Sequence, residues 1–426
     1  MNESDVPEGS ARLADRLVAA VLAVADRREL LAYVPMHEAQ LSVIALPQLG
    51  VGVAVVERGD QPSDLLRERL QKLLAAHDRN ILHLVLAGGS EADIADLRAA
   101  DRAAPDPNRL GVHLLDREGR IRRIAGRRLP LLRTAAAQIP NLPALAPDAL
   151  IAHIEASNER MEKRRQEAAG FASALGERSQ KATRLLGVVN IALFALAMHW
   201  GARNFDRALM GMGANRLFLV EDGEVYRLLS HAFLHANAGH LLVNLIGLFS
   251  FGGFLEGLLG WRRIVLLYGL CALAGGIASA FIGKTTASVG ASGAIWGFMA
   301  AGLAIVLGKR ALLPPLYAAR MRSSLLWVFV LNLALSIAPI FLASFPRIDL
   351  WAHLGGGVMG FSLAAAPPFM SGLAKGQDPA ELSANPAWLR ASALIVLGLM
   401  VVSVALALAT GKPWDLPTLP AADEMA

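Results

Sequence analysis

Four polar residues in an otherwise apolar stretch of this sequence have the types and spacing to do chemistry. Ser292 stands in VGASGAIWGF, His353 in DLWAHLGGGVMGF, and His240 and Asn244 in HAFLHANAGHLLVN. A serine hydroxyl is a poor nucleophile until a base takes its proton, and neutral imidazole suits that task near pH 7. Attack on an acyl carbon then creates an oxyanion that needs preorganised donors. The backbone N–H of Ser292 at a helix start is one candidate donor. The side chains of His240 and Asn244, one helical turn apart, are others. Gly290 allows the tight turn that would expose the serine.

Other readings of the same residues stand beside this one. Taken singly, Ser292 is a helix cap and His353 a packed interhelical histidine. The soluble-hydrolase elbow G-x-S-x-G is missing, because position 294 is Ala. The zinc-protease pattern H-E-x-x-H is missing too, because Ala232 follows His231. A zinc site built from His231, His235 and His240 stays open. The alternative for His231 and His235 is a structural, hydrogen-bonding role in a loop.

The elements that must position these residues are membrane-length helices. Apolar stretches lie near 184–200, 238–258, 264–282, 291–308, 324–344, 350–368 and 391–410, several approaching the roughly 20 residues that cross a bilayer. Arg262 and Arg263 follow the second, Lys309, Arg310, Arg320 and Arg322 the fourth, and Lys375 the sixth. Only Lys284 and Arg347 fall in the opposite short connections, so the positive-inside tendency puts the N-terminus in the cytosol. The segment 201–237 is then outside. Ser292, His353, His240 and Asn244 come to a similar depth near the outer face. Gly293, Gly297 and Ala301 repeat every four residues along the fourth span, and Gly356, Gly360 and Ala364 along the sixth. Such stripes let membrane helices pack backbone to backbone, which would bring Ser292 against His353.

Composition agrees with a membrane protein. The chain of 426 residues is 54% hydrophobic and 18% charged, against roughly 25% charged in soluble domains. A single cysteine, Cys271, excludes an internal disulfide framework. The net charge of +5 suits cytoplasmic loops better than nucleic-acid binding. The composition changes sharply near residue 184, and the charge-rich residues 1–150 read as a soluble α/β unit. Strand-length apolar runs are Leu41–Leu46, Val51–Val56, Ile81–Leu86 and Leu110–Leu115, with helices expected at Ala11–Ala25, Asp64–Ala76 and, more weakly, Glu91–Arg102. Gly88-Gly89-Ser90 reads as a strand-to-helix turn or a weak phosphate cradle. His37, His77, His83 and His113 are scattered. The N-terminus has no signal-peptide pattern, so this unit is expected in the cytosol. Residues 151–183 form a basic helical linker that also suits contact with anionic head groups.

These motifs resemble the rhomboid family of intramembrane serine proteases, over roughly residues 184–370. Gly290-Ala291-Ser292-Gly293 looks like the family's G-x-S-G motif, and Ala352-His353 with Gly356 and Gly360 like its A-H-x-x-G-x-x-x-G helix. His240 and Asn244 match H-x-x-x-N. Tyr226-Arg227 stands where many members have Trp-Arg in a structural outer loop. Gly252, Gly253, Glu256 and Gly260 resemble the glycine-and-glutamate end of the second helix, with Glu256 a structural carboxylate near Arg262 or Arg263.

The resemblance implies a polytopic α-helical membrane protein, with a rhomboid-like six-helix core at 184–370. A linker, a seventh span and a short outer tail would occupy 371–426, and a small soluble α/β domain of unknown role 1–150. It implies a Ser292–His353 dyad without an obligatory acid, assisted at the oxyanion by His240, Asn244 and Gly290. Asp349 is either a third member or a first-turn cap. No metal or organic cofactor is implied. The implied partners are transmembrane protein substrates and the lipid bilayer, with no nucleic acid and an open partner or ligand for residues 1–150. The outer loop 201–237 and the fifth span would gate access. Abundant Ala and Arg with few Lys lean towards a bacterial inner membrane. The alternatives are a catalytically silent rhomboid-like adaptor that binds transmembrane helices, and a transporter whose pathway uses the polar cluster.

Overall fold

The computed structural model describes residues 12–27, 30, 32–38, 41–58, 81–89, 91–103, 110–116, 118–141, 147–202, 204–284, 287–308, 312–341, 348–371, 373 and 386–410. The expected helix Asp64–Ala76, together with His77, Ser90, Arg203, Lys309, Arg310, Arg347 and Lys375, lies outside the described residues. The chain divides into two compact units, Met1–Glu167 and Ala168–Ala426.

In the first unit a six-stranded sheet runs β1 (Tyr33–Glu38), β2 (Leu41–Leu46), β3 (Val51–Glu57), β4 (Ile81–Ala87), β5 (Leu110–Leu115) and β6 (Ile121–Gly126), in that spatial order. The central pairs β3–β4 and β4–β5 are parallel and the outer pairs antiparallel. Strands buried on both faces must be apolar throughout, and Val53, Val55, Leu84, Leu86 and Val112 are inaccessible or nearly so. On one face α1 (Leu13–Arg27) lays down Leu17, Val18, Val21 and Leu22. On the other, α2 (Ile94–Ala103) contributes Leu97. The helix α3 (Pro130–Ala136) then packs beside α1.

The sequence pattern finds the four inner strands and misses both edges. β1 contains Pro35, and β6 reads IRRIAG with Arg122 and Arg123 exposed. Proline and charge are how sheet edges avoid pairing with other chains, so edge strands lack the apolar signature. The histidines are also less scattered than their spacing suggests. His83 and His113 meet across β4 and β5, Nδ1 to Nε2 at 2.9 Å, both buried.

A long helix, α4 (Pro147–Glu177), carries most of the basic linker. The second unit holds α5 (Lys181–Trp200), the short α6 (Phe205–Gly211), α7 (Leu217–Glu221) and α8 (Arg227–Ser230), then α9 (Ala238–Leu259), α10 (Trp261–Gly283), α11 (Ser292–Leu307), α12 (Pro315–Phe341), α13 (Leu350–Ala365) and α14 (Ala387–Thr410). The protein is a polytopic helical membrane protein with a soluble α/β domain. Each of the seven expected spans coincides with a helix, and five are long and apolar enough to cross a membrane. The two that carry Ser292 and His353 have 16 residues each, about 24 Å at 1.5 Å per residue. That is shorter than a hydrocarbon core of about 30 Å. α12 starts earlier than its apolar run, so Arg320 and Arg322 sit on its first turns rather than in a loop.

One expected charge placement changes. The Glu256 carboxylate does not pair with Arg262 or Arg263. It accepts from Ala182 N (2.9 Å), Thr183 N (2.7 Å) and Thr183 Oγ1 (2.7 Å), capping the first turn of α5. A helix start leaves N–H groups without partners, and a carboxylate satisfies them while meeting the positive end of the dipole. Arg263 is buried and donates to the carbonyls of Leu259, Phe369 and Ser371. Arg227 is equally buried and donates to Met210 O, Ala214 O and Glu224, folding the segment 201–237 on itself.

The core of this unit is the contact between α11 and α13. A Cβ added at Gly356 would lie 2.0 Å from the Gly293 carbonyl oxygen, and one at Gly360 would lie 2.1 Å from that of Gly297. On the adjacent face of α13, a Cβ at Gly355 would meet Ala274 O at 2.6 Å, on α10. The seventh expected span, α14, packs Val396 and Met400 against Gly269 of α10.

Two outcomes are expected. Gly356→Val should lower the thermal midpoint of the full chain, at a cost of about 2 kcal/mol or more from overpacking. Gly398→Ala on α14, where a Cβ meets nothing within 4 Å, should leave stability unchanged or slightly raised. Equal effects would contradict backbone-to-backbone packing. The second outcome concerns pH. Burial, followed by Arg127 for His83 and by His83 and Arg123 for His113, pushes these imidazoles down from 6.5 to about 4 and about 3. The unfolded chain therefore takes up protons first as pH falls. The stability held by the pair is intact above about 6.5 and declines as pH drops towards the folded values, by up to about 1.4 kcal/mol per unit for each histidine. Hydrogen exchange of β4 and β5 in the full chain, corrected for intrinsic rates, should show this loss, and a flat corrected profile down to about pH 4.5 would contradict it.

Candidate active site

Ser292 is the first residue of α11, and the chain reaches it through Gly290, whose φ of +129° lies in the region that favours glycine. The Gly290 N–H donates to His231 O at 3.0 Å, and a bridge between Asn215 and Ser288 ties the same segment to 201–237. His353 lies one turn into α13. Asp349 caps that helix, accepting from Ala352 N at 3.0 Å and from the Ser279 hydroxyl. The glycine contacts of α11 and α13 sit directly below both residues. Ser292 Oγ and His353 Nε2 are thereby 2.8 Å apart, although 61 positions separate them.

The imidazole is held on its other sides as well. The Trp296 ring stacks on it with centroids 5.1 Å apart and planes at 19°. Its Nδ1 lies 2.8 Å from Ser336 Oγ, on α12. Asp349, the carboxylate that could have completed a triad, acts as a cap instead.

His240 and Asn244 are on the first turns of α9, whose N-cap Asn237 accepts from His240 N at 2.8 Å. The His240 ring lies against Gly290. A Cβ there would sit 2.8 Å from Cε1 and 2.9 Å from Nε2 of His240, and 3.7 Å from Ser292 Oγ. His240 and the Ser292 hydroxyl thus share one small space beside Gly290. Asn244 is buried and its Nδ2 donates to His240 O at 2.9 Å, which leaves its second amide hydrogen uncommitted by that bond. His231 approaches Ala272 O at 3.4 Å through Nε2. His235 packs edge-on against His240 with centroids 5.3 Å apart, and neither of its ring nitrogens meets a protein partner. Among the described residues no group of three or more His, Cys, Asp or Glu side chains converges as a metal site would require.

An apolar cleft of about 260 Å³ opens beside His353, between α11, α12 and α13, with Trp296, Leu303, Phe329, Leu354 and Phe361 among its walls. The arrangement can activate a hydroxyl with a neutral base next to an apolar surface, and it offers donors at a helix start. Sequence reasoning overlooked Trp296 and Ser336. Trp296 follows Ser292 by one helical turn, so its place on the same face was readable. Ser336 had no signal beyond being a lone hydroxyl in an apolar run.

A family model described as a rhomboid domain matches residues 222–367. The chain is 31% identical over 205 residues to the rhomboid protease GluP of Bacillus subtilis (strain 168), covering 48% of this chain and 38% of that protein. It is 35% identical over 145 residues to RHOMBOID-like protein 1 of Arabidopsis thaliana, covering 34% of this chain and 35% of the relative. Rhomboid-like protease 2 of Toxoplasma gondii is 31% identical over 158 residues, 37% of this chain and 52% of that one. The chain spans little more than a third of the first two relatives and about half of the third.

Gly290→Ala tests the geometry around Ser292. The new methyl would be strained by φ and would push on the His240 ring. The expected outcome is a fall of at least about tenfold in fluorophosphonate labelling of Ser292, with a stability cost of about 1–3 kcal/mol. Undiminished labelling would mean that the close approach of His240 to this turn does not matter to the hydroxyl.

Proposed function

We propose that this chain, a member of the rhomboid family through its domain at residues 222–367, is a serine endopeptidase that cuts transmembrane segments of other proteins. The observation that carries the proposal is the 2.8 Å contact between Ser292 Oγ and His353 Nε2. A half-buried hydroxyl beside a buried imidazole also occurs as plain packing. Here the pair lies at the positive end of α11, next to a glycine turn and a second histidine, which a packing role does not require.

In this reading Ser292 Oγ attacks the substrate carbonyl carbon as His353 Nε2 takes its proton. The oxyanion is met by N–H groups at the start of α11, by His240 and by the second amide hydrogen of Asn244. Collapse breaks the C–N bond, and His353 returns the proton to the departing amine. Water, deprotonated by the same imidazole, then releases the acyl group and restores the serine. A peptide bond in hydrocarbon is tied into helix hydrogen bonds, so the substrate unwinds locally before it is cut. The apolar cleft beside His353 suits such a partner.

The finer assignments belong to the same proposal. Residues 184–370 are the protease core and 371–426 the linker, seventh span and tail. Residues 1–150 are a cytosolic domain and 151–183 its linker, with the site facing the outer side of a bacterial inner membrane.

The test is cleavage of single-pass substrates by the full chain in liposomes, with Ser292→Ala and His353→Ala as folded controls. Both variants should lose cleavage by about 10³-fold or more, and Ser292→Ala should lose phosphonate labelling. Cleavage by Ser292→Ala would remove the nucleophile assignment. A wild-type chain that binds transmembrane helices without cutting or labelling would favour the adaptor.

A further inference from the structure

We infer that Ser336 is a positioning residue that fixes the tautomer of His353, taking the place that a carboxylate holds in a catalytic triad. The inference rests on the reading of Ser292 and His353 as nucleophile and base.

The neighbourhood of Ser336 sets it apart. α12 is largely exposed, with Trp327 74%, Leu331 59% and Phe341 79% accessible. Ser336 on the same helix is only 3% accessible, and its hydroxyl faces the one nitrogen of His353 that Ser292 does not occupy. A serine in a membrane helix commonly donates back to the carbonyl four residues earlier, and Ser336 does so to Asn332 O at 2.8 Å. That bond alone would make it a satisfied structural serine. The second contact carries the inference.

A hydroxyl has one hydrogen and two lone pairs, whereas a carbonyl oxygen can only accept. With both neighbours at 2.8 Å, the hydrogen of Ser336 goes to Asn332 O and a lone pair is turned to His353 Nδ1. That nitrogen must then carry a hydrogen and donate. Neutral imidazole has one N–H, so Nε2 is bare and faces Ser292 Oγ at 2.8 Å. This is the form that can accept the serine proton. In the opposite tautomer, Ser336 would have to turn its hydrogen to Nδ1. Two oxygens would then be left 2.8 Å apart with no hydrogen between them. Once His353 takes the proton, its Nδ1–H still donates to Ser336, and the bond strengthens because the donor is charged. Trp296 covers the ring face, so the imidazole is fixed by stacking and by a contact at each nitrogen.

The experiment uses the full chain in detergent, as wild type, Ser336→Ala, Ser336→Thr and Ser292→Ala. One arm is nitrogen NMR of protein labelled at histidine, with the His353 signals identified by their loss in His353→Asn. The other is kcat and KM on a transmembrane substrate. The expected spectrum of the wild type shows Nδ1 protonated and Nε2 bare, with the two tautomers mixed in Ser336→Ala. The expected kinetics are a fall in kcat of about tenfold for Ser336→Ala, the size of one lost hydrogen bond, with KM unchanged. Ser336→Thr, which keeps the hydroxyl, should restore most of the rate. A wild-type His353 protonated at Nε2 would overturn the inference, as would Ser336→Ala with unchanged kcat and tautomer. Should Ser336→Ala fail to fold, the wild-type spectrum and the threonine variant still decide. If Ser292→Ala cuts as well as wild type, the assignment of Ser292 as nucleophile fails instead, while the spectrum continues to report on the Ser336 contact separately.

Discussion

The closeness of α11 to α13 is the constraint on which the rest of the membrane unit depends. At Gly356 and Gly360 the space where a side chain would begin is filled by a carbonyl oxygen of the neighbouring helix. Lipid tails are as apolar as leucine, so no hydrophobic force drives two such helices together, and tight van der Waals contact must hold them. Glycine is the residue that permits it. The consequence is geometric. Ser292 begins one helix, His353 lies three residues before Gly356 on the other, and the register of the glycines brings an oxygen and a nitrogen to 2.8 Å. The same α13 uses Gly355 to approach α10, so the helix that carries the histidine is pinned from two sides.

Polar groups supply the remaining precision. In a bilayer an unmade hydrogen bond is expensive, so each buried polar group constrains whatever it touches. Glu256 anchors the start of α5, Asp349 the start of α13, and Arg227 and Arg263 gather the carbonyls of irregular segments. None of these charged side chains bonds to the Ser292 hydroxyl or to the His353 ring, whose nitrogens meet Ser292 and Ser336. The groups around the reacting pair are neutral: a tryptophan ring, a serine hydroxyl, a second imidazole and an amide. A site of this kind keeps full charges away from hydrocarbon until a proton moves.

The soluble unit follows a different logic. Its central strands are apolar on both faces because helices cover both, and those are the strands that stand out in the sequence. The edges are built from proline and arginine to stay unpaired, and they are unreadable by the same criterion. His83 and His113 show how spacing misleads in a sheet. They lie 30 positions apart, yet neighbouring parallel strands put their rings in contact.

The apolar helices, the residues Ser292, His353, His240 and Asn244, and the four-residue glycine stripes that would bring the first two together are all legible in the order of the amino acids. These are local properties. Periodicity along one element states which face is small, apolar or polar, and the bilayer's thickness sets the length. Which polar atom meets which emerges from the packed helices: Glu256 with the start of α5 rather than an arginine, Asp349 with its own helix rather than the histidine, and Ser336 with the nitrogen left over. A single side chain carries no period. Its partner is set by the register and rotation of helices distant in sequence, and those come from packing summed over every contact between them.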